Sequence, residues 1–454
     1  MEGSCSDGSE GSGDSAGSVV FVTQQFPPDK SGHASRISET ATALSDGGWD
    51  VSVLAPPPSF PPEKFDRTWR LGEQSVADGV TVHRRWTWQP ANPDPGFSSR
   101  MAYYVLFALH ATIWLLFNGR RYDVVVTTTP PISTGIAGFP ATLLGCTWVV
   151  DVRDLWIEAS VSLGFIAEGG LLERASRRFQ RRVLRTADTI TVTTGTLGET
   201  LCEQYGSALS GKMLHLPNGV DVTGFRSRTD GGGTVGNVSE SEPGDDRGHI
   251  PGSESGKEAN PDSSNEPFVV IYTGNIGHAQ DLASCIRALG HLPEDVVIRL
   301  VGGGDSVPEL DDLATDLGVR DRVEFVGTVP HDRVPELLDD ADVGIAPLRD
   351  DADLSYAMPT KVYEYLGCEL PAVVTGEGEI RRFIRESEGG IHADNDSESI
   401  VAAIERLRTD PELRRRMGRQ GFEYVRREYD RERIARRFDE HLRNLVADTP
   451  GATT

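Results

Sequence analysis

The sequence predicts an α/β protein of two doubly wound domains. Three observations carry that expectation: the chain has 454 residues, short apolar runs alternate with helical stretches, and a long segment of Gly, Ser, Asp, Glu and Pro interrupts the alternation before it restarts. At roughly 100 to 200 residues per domain this length fits two, with enough core to fold without disulfide or metal staples. Alternation of strand and helix implies largely parallel sheets covered on both faces.

Val19–Thr23 is an apolar strand, followed by a Pro/Gly/Ser loop over Pro27–Gly32 and a helical stretch over His33–Leu44. Apolar, β-branched clusters then predict strands at Val51–Leu54, Val80–His83, Val124–Thr128, Trp148–Asp151, Thr189–Thr193 and Met213–Leu216. Between Arg226 and Glu266 large apolar side chains almost vanish, and such a composition cannot bury enough surface to order itself. Phe268–Tyr272 restarts the pattern, and strands follow at Val297–Val301, Val323–Phe325, Val343–Ala346 and Ala372–Val374. Amphipathic spacing marks helices at Val307–Leu317 and Val334–Leu338. The expected organisation is a disordered acidic tail (1–18), an N-terminal domain (19–225), a disordered acidic insertion (226–266), a C-terminal domain (267–430) and a last helix (431–446).

Lys and Arg number 45 against 69 Asp and Glu, a net charge of −24, so no nucleic acid partner is expected. Only five of the cations are lysines, and an acid-rich, lysine-poor chain points to a salt-filled, halophilic cytoplasm. The five cysteines are scattered without metal-ligand spacing, which predicts a reducing compartment and no structural zinc. The first 18 residues lack the basic and apolar regions of a secretory leader, so a cytoplasmic location is expected.

Ligands of open α/β sheets bind at the carboxyl ends of the strands, where several glycine loops fall. In PPDKSGHAS, Gly32 lets backbone amides approach a phosphate at a helix N-terminus, although an ordinary βα turn explains it too. YTGNIGHAQDL puts Gly274, Asn275, Gly277 and His278 after a strand, in reach of a diphosphate. LVGGGDSVPEL sets three glycines, Gly303 at their centre, where backbone can approach a base or ribose; a flexible turn accounts for them equally well. In MPTKVYEYLGCELPAVV, Lys361 and Glu364 lie three apart on one helix face: a cation for phosphate beside a carboxylate for ribose hydroxyls, or a surface ion pair.

Together with PNGVD (Pro217–Asp221) and DRVEFVGTVPHDRVPELLDDADVGIAP (Asp321–Pro347), these segments resemble the consecutive signatures of GT-B retaining glycosyltransferases of the family 4 type. The resemblance covers nearly all of residues 19–446 outside the insertion. VVDVRDLWIE (Val149–Glu158) and GNIGHAQ further resemble the subset that makes cell-surface polysaccharides, including fucosaminyl-type transferases. The implied fold is GT-B, two Rossmann-like domains facing across a cleft, with the final helix crossing back to the N-terminal domain. The implied reaction moves a sugar from a nucleotide diphosphate sugar to an acceptor hydroxyl with retained configuration.

Carried over to this sequence, Glu364 is the second Glu of the family's E-x7-E element and binds ribose, while the first Glu is replaced by Tyr356. Lys361 and the amides near Gly277 neutralise the leaving diphosphate. His278 stands where many relatives have Arg or Lys, and Gly32 matches the second glycine of the family's GG loop, with Ser31 at the first. Arg153 and Asp154 stand where relatives place cleft residues, and Asp154 is the candidate to position or deprotonate the acceptor; a buried Arg–Asp pair holding the strand end is the alternative. The Asp340–Asp342 and Asp351–Asp353 strings suggest a metal, but GT-B enzymes generally need none, so neither metal nor cofactor is expected.

Met101–Phe117 is broken only by His110 and Thr112. As a helix it spans about 26 Å at roughly 1.5 Å per residue, short of the roughly 30 Å hydrocarbon core. A core helix and a shallow membrane anchor both fit it. Arg84, Arg85, Trp86 and Trp88 precede it as interfacial segments do, and Arg174–Arg185 forms a basic run suited to anionic lipid. The resembling subset often glycosylates polyprenyl-linked lipids, so a lipid-linked acceptor and a peripheral place on the inner face of the cell membrane are expected, in assembly of surface polysaccharide or glycoprotein glycans. A UDP-sugar 2-epimerase of the same architecture and a noncatalytic nucleotide-sugar-binding scaffold are the alternatives.

Overall fold

The apolar runs become strands in the computed structural model, which describes residues 16–61, 64–90, 96–229, 266–350 and 354–448. The chain divides into two units, one comprising the segment up to Asn218 with that from Glu432 onward, the other Gly219–Arg431. In the first, β1 (Gly17–Val22), α1 (Gly32–Asp46), β2 (Trp49–Ala55), β3 (Gly72–Ala77), β4 (Val80–Arg85), α2 (Phe97–Asn118), β5 (Val124–Thr129) and α3 (Phe139–Leu144) come in order. They are followed by β6 (Thr147–Val152), α4 (Trp156–Ser162), α5 (Leu171–Thr186), β7 (Thr189–Val192), α6 (Gly195–Tyr205) and β8 (Met213–His215).

The sheet order is β3-β4-β2-β1-β5-β6-β7-β8, parallel except where β3 pairs antiparallel with β4. Strands β5 and β6 are buried along their whole length, which is why they read as continuous Val/Thr runs without polar alternation. The chain order reverses between β1 and β5, so the loops leaving these two strands diverge and leave a crevice at their carboxyl ends.

The second unit contains α7 (Val222–Thr229), β9 (Phe268–Thr273), α8 (Leu282–Leu289), β10 (Val296–Val301), α9 (Val307–Asp316), β11 (Val323–Gly327), α10 (Val334–Asp339) and β12 (Val343–Pro347). It continues with α11 (Thr360–Gly367), β13 (Ala372–Thr375), α12 (Glu379–Ser387), β14 (Gly390–His392), α13 (Ser397–Thr409) and α14 (Pro411–Glu428). Its six strands run in the order β11-β10-β9-β12-β13-β14, all parallel, with the reversal between β9 and β12.

The last helix, α15 (Arg431–Ala447), belongs to the first unit. Ile434, Phe438 and Leu442, spaced four apart, join the core formed by Val19, Phe21, Trp49 and Val51. Burying each such side chain contributes about 1.5–3 kcal/mol. Asp439 accepts the Trp49 indole N–H at 2.6 Å, and Arg443 donates to the Gly47 carbonyl at 2.7 Å, fixing the register of the helix on the sheet edge.

Three boundaries differ from expectation. The first unit ends at Asn218 rather than 225, because Val220, Val222 and Phe225 bury themselves in the core of the second unit. Residues 226–229 continue α7, and β1 begins at Gly17, inside the expected tail; the rest of the insertion and nearly all of the tail lie outside the described residues. Strand β3 was not expected: all six of its residues are exposed, so its sequence GEQSVA carries no apolar signal.

Candidate active site

In the second unit a pocket of about 740 Å³ opens at the carboxyl ends of β9, β10, β11 and β12. Its floor is the three glycine-containing loops bound to one another. Gly274 N–H donates to Val301 at 2.9 Å, Ile276 N–H to Gly303 at 2.9 Å and Gly302 N–H to Gly327 at 2.8 Å. Gly302 has φ +135°, and a Cβ there would lie 1.9 Å from the Gly274 carbonyl oxygen; one on Gly304 would lie 2.2 Å from that of Ile276. These glycines are required because two backbones pack against each other. Gly302 and Gly303 both line the pocket, and at Gly303 the nearest neighbour to an added Cβ is a side chain, Thr328 Oγ1 at 3.1 Å.

Helix α11 supplies one wall. Tyr365, fully buried, accepts the Thr273 N–H at 2.9 Å and so holds the helix on the end of β9. That orientation turns Lys361 and Glu364, one turn apart, into the pocket together with Pro359 and Thr360 at the helix N-terminus. Lys361 is buried; its ammonium sits 3.6 Å from the centre of the Tyr272 ring and 3.4 Å from Gln280 Oε1. Burial pulls its pKa down to about 7, with Glu364 opposing the shift. A half-neutral lysine facing a cavity is poised to gain its full charge when an anion arrives. Glu364 receives His331 Nε2 at 3.2 Å.

Gly274, Asn275, Gly277, Gly303, Lys361 and Glu364 therefore line one pocket. His278 does not: it is exposed, with Nδ1 3.5 Å from Ser306 Oγ. Its carbonyl accepts from Arg349, at the end of β12, at 3.2 Å, so a guanidinium that the sequence reading missed stands beside this loop. Tyr356 is buried beside the wall formed by Leu354, Ala357 and Met358. His331, Thr328 and Gln280 were also missed; Thr328 and His331 share the connection after β11, and Gln280 comes from the one after β9. Of the two Asp strings, Asp342 holds the start of β9 through the Val269 N–H at 2.9 Å and pairs with Arg414 at 3.4 Å, while Asp351–Asp353 lie outside the described residues.

In the first unit the β1–α1 loop is clamped before it reaches Gly32. Asp29 accepts the Ser59 and Phe60 N–H groups at 2.7 and 2.8 Å, and Arg84 donates to the carbonyls of Phe26 at 3.0 Å and Pro56 at 2.8 Å. Arg84 is thus a structural clamp and not the interfacial charge expected of it. Ser31 caps α1 by accepting the Ala34 N–H at 3.1 Å. Gly32 is exposed at the start of α1, and an added Cβ would meet nothing within 4 Å.

Behind this loop lies a charge network. His33 Nδ1 meets the Arg153 guanidinium and its Nε2 lies 2.8 Å from Thr23 Oγ1. Since a guanidinium only donates, Nδ1 is the acceptor and the proton rests on Nε2. Burial and then Arg153 lower the His33 pKa to about 3, so the ring is neutral. Burial followed by Arg36 brings Arg153 down to about 10, and it also reaches Asn218 Oδ1 at 3.2 Å. Asp151 accepts from Thr191 at 2.7 Å and pairs with Arg36 at 3.5 Å; burial opposes its ionisation, but Arg36 and Arg153 hold its pKa below the usual range. The buried Arg–Asp pair of this strand end is Arg36–Asp151. Asp154, the expected base, is half-buried beside Arg153, whereas His33 and Trp156 line the adjoining cavity of about 560 Å³.

Helix α2 buries Tyr103, Phe107, Ala108, Ala111 and Leu115 in the first unit. Its opposite face exposes Leu109, Ile113 and Leu116, with Phe117 84% exposed, so the core-helix and surface-helix readings each describe one side. Residues Phe97–Arg121 are apolar and long enough to cross a membrane by composition, yet a helix contributing one face to a core lies along its unit. On α5, Arg174, Arg178, Arg181, Arg182 and Arg185 are exposed. Arg177 is not part of that patch; it bonds Glu173 at 2.6 Å and Glu158 at 2.7 Å.

Residues 256–424 match the family model for glycosyl transferases group 1, and residues 31–219 match that for a glycosyl transferase 4-like domain. Over 441 residues the chain is 23% identical to a putative colanic acid biosynthesis glycosyl transferase, WcaI, of Escherichia coli K12, covering 94% of this chain and 99% of that one. It is 31% identical over 183 residues to the lipopolysaccharide core biosynthesis glycosyltransferase LpsE of Rhizobium meliloti, 40% of this chain and 50% of that one. Among solved structures, sucrose-phosphate synthase from Thermosynechococcus elongatus superposes with a TM-score of 0.68 at 16% identity, covering 95% of this chain and 99% of that one. Anabaena Alr3699/HepE in complex with UDP gives 0.66 at 14% identity, covering 94% and 100%.

Proposed function

Since the chain belongs to the family 4 type of GT-B glycosyltransferases, we propose that it is a retaining enzyme moving a sugar from a nucleotide diphosphate sugar to a lipid-linked glycan acceptor. The observation that carries the donor half of this reading is the buried Lys361 beside Glu364 at the carboxyl ends of β9 and β12. Glu364 accepts the ribose hydroxyls, and the diphosphate lies between Lys361, the N-terminus of α11 and the amides around Gly277. As the bond from the anomeric carbon to the diphosphate breaks, Lys361 and the helix end stabilise the charge that develops on the leaving oxygen. The acceptor oxygen forms the new bond on the same face, and its proton passes to the departing phosphate, so no protein nucleophile is used. Positive charge from these groups replaces a divalent ion in this scheme.

The first unit takes the acceptor. Its neutral His33, with the proton on Nε2 and Arg153 on Nδ1, positions the acceptor, as does Asp154 beside that arginine. Support for a membrane-bound acceptor comes from the exposed apolar face of α2 and the arginines of α5, a pair suited to an anionic bilayer surface at the cytoplasmic face.

The test is transfer of labelled sugar from a panel of UDP-, GDP- and dTDP-sugars into organic-extractable lipid, in molar salt with native membranes, with and without EDTA. Label from one donor, unchanged by EDTA and lost in Glu364→Ala, is the expected result. Isomerised free sugar without acceptor would replace this reading with a 2-epimerase, and donor binding without turnover would replace it with a scaffold.

A further inference from the structure

A second cavity of the first unit, about 330 Å³, runs between α2, α5 and the turn after β5. Its walls are almost wholly apolar: Phe97, Met101, Ile136, Leu172 and Phe179 face it. Two lining residues are polar, Ser133 and Ser176, and the buried hydroxyl of Ser133 finds no hydrogen-bond partner. An unpartnered hydroxyl inside an apolar groove is destabilising unless something arrives to bond it.

The groove adjoins the polar cavity in front of His33: Pro131 and Trp156 are walls of both. The first turns of α2 also divide between them, Phe97 and Met101 facing the groove while Arg100 and Tyr104 face the polar side. Arg67 joins Arg100 there, although it already donates to the Gln89 carbonyl. In a chain of net charge −24, two arginines on a cavity wall next to a dry groove match an amphiphile with an anionic head.

We propose that the two cavities form one site for a prenyl phosphate-type acceptor: the hydrocarbon enters the groove between α2 and α5, the phosphate lies at Ser133 and Arg100, and the sugar-bearing end reaches the cavity at His33. This assignment rests on the lipid-linked acceptor reading and adds where the lipid lies. It also gives the exposed face of α2 a further role, since a chain leaving the groove past Val105 emerges on that face.

Calorimetric titration of the full chain in molar salt with geranylgeranyl phosphate, below its aggregation concentration, tests it. Saturable one-site binding is expected, with inorganic phosphate at least a hundredfold weaker. Ala175→Trp, which fills the groove from an exposed position, and Leu172→Glu, which places a charge at a residue already 53% exposed, are each expected to weaken binding at least tenfold with unchanged unfolding temperature. Equal affinity in both variants, no binding by the unaltered protein, or equally tight inorganic phosphate would overturn the assignment. If native lipid accepts sugar while both variants bind normally, the groove is wrong and the lipid acceptor stands; if the groove binds the probe but no donor labels lipid, the acceptor reading fails alone.

Discussion

Behind the strand ends of the first unit, charges neutralise one another: Asp151 pairs with Arg36, and Arg153 closes on a neutral His33 and Asn218. At the equivalent ends of the second unit, Lys361 rests on an aromatic ring, with Gln280 and Glu364 nearby and its proton only loosely held. The same topology, a doubly wound sheet with one reversal of strand order, thus presents two electrostatic characters. One is a rigid wall whose charges are spent on structure. The other is an open pocket whose lysine holds its proton only loosely. The difference teaches that charge content alone does not mark the reactive lobe; what matters is whether each charge already has its counterpart.

Substitutions at the two sets of strand ends can break this comparison. Asp151→Ala leaves Arg36 and Arg153 buried without their carboxylate, and chemical denaturation should record a loss of about 3–5 kcal/mol. The Asp151 contribution is also pH-dependent. Its folded pKa lies below the unfolded value, so stability is present above the usual carboxylate range and is lost as pH falls through the folded pKa. Lys361→Met should act in the opposite way, lowering kcat by about 10²–10³ while the fold is unharmed or gains stability, since a costly buried amine is removed. A stability loss matching that of Asp151→Ala would mean that both lobes use their cations structurally.

Gly302→Ala should cost about 2–3 kcal/mol by unfolding, because its positive φ and its approach to the Gly274 carbonyl leave no room for a methyl. Donor affinity should also depend on pH. With Lys361 at about 7 in the free protein, binding an anion takes up a proton at higher pH, so affinity should fall by up to about tenfold per unit above 7 and be flat below it. A flat profile across pH 6–9 would remove Lys361 from the diphosphate. The smallest effect is expected for Gly32→Ala, which should raise stability by about 0.5 kcal/mol because nothing crowds the new methyl and the unfolded chain loses freedom.

The strands of both sheets were legible because buried parallel strands must be apolar along their length. Strand β3 was not, because its pairing with β4 leaves all its side chains in solvent. The boundary at Asn218 was hidden for a different reason: Val220, Val222 and Phe225 announce burial without saying in which core. In the site, Lys361 and Glu364 were readable since a three-residue spacing on one helix is local. His33, Arg36 and Asp151 were not recognised as a group, because the two elements that carry them are neighbours only after the sheet has formed, more than a hundred residues apart in sequence. Arg349 and His331 escaped for the same reason. Of the glycines of LVGGGDSVPEL, Gly302 and Gly304 serve loop-to-loop packing, while Gly302 and Gly303 line the pocket.

The return of α15 to the first unit has a consequence for how the protein is made. The first lobe lacks Ile434, Phe438 and Leu442 until Arg431–Ala447 has been made, and until then Trp49 and its neighbours remain uncovered. The second lobe, encoded entirely within Gly219–Arg431, has all its strands beforehand. Synthesis order and completion order are therefore reversed, and a stop codon at Glu432 would leave the earlier lobe, not the later one, with the open core and the greater exposure to chaperones and proteases.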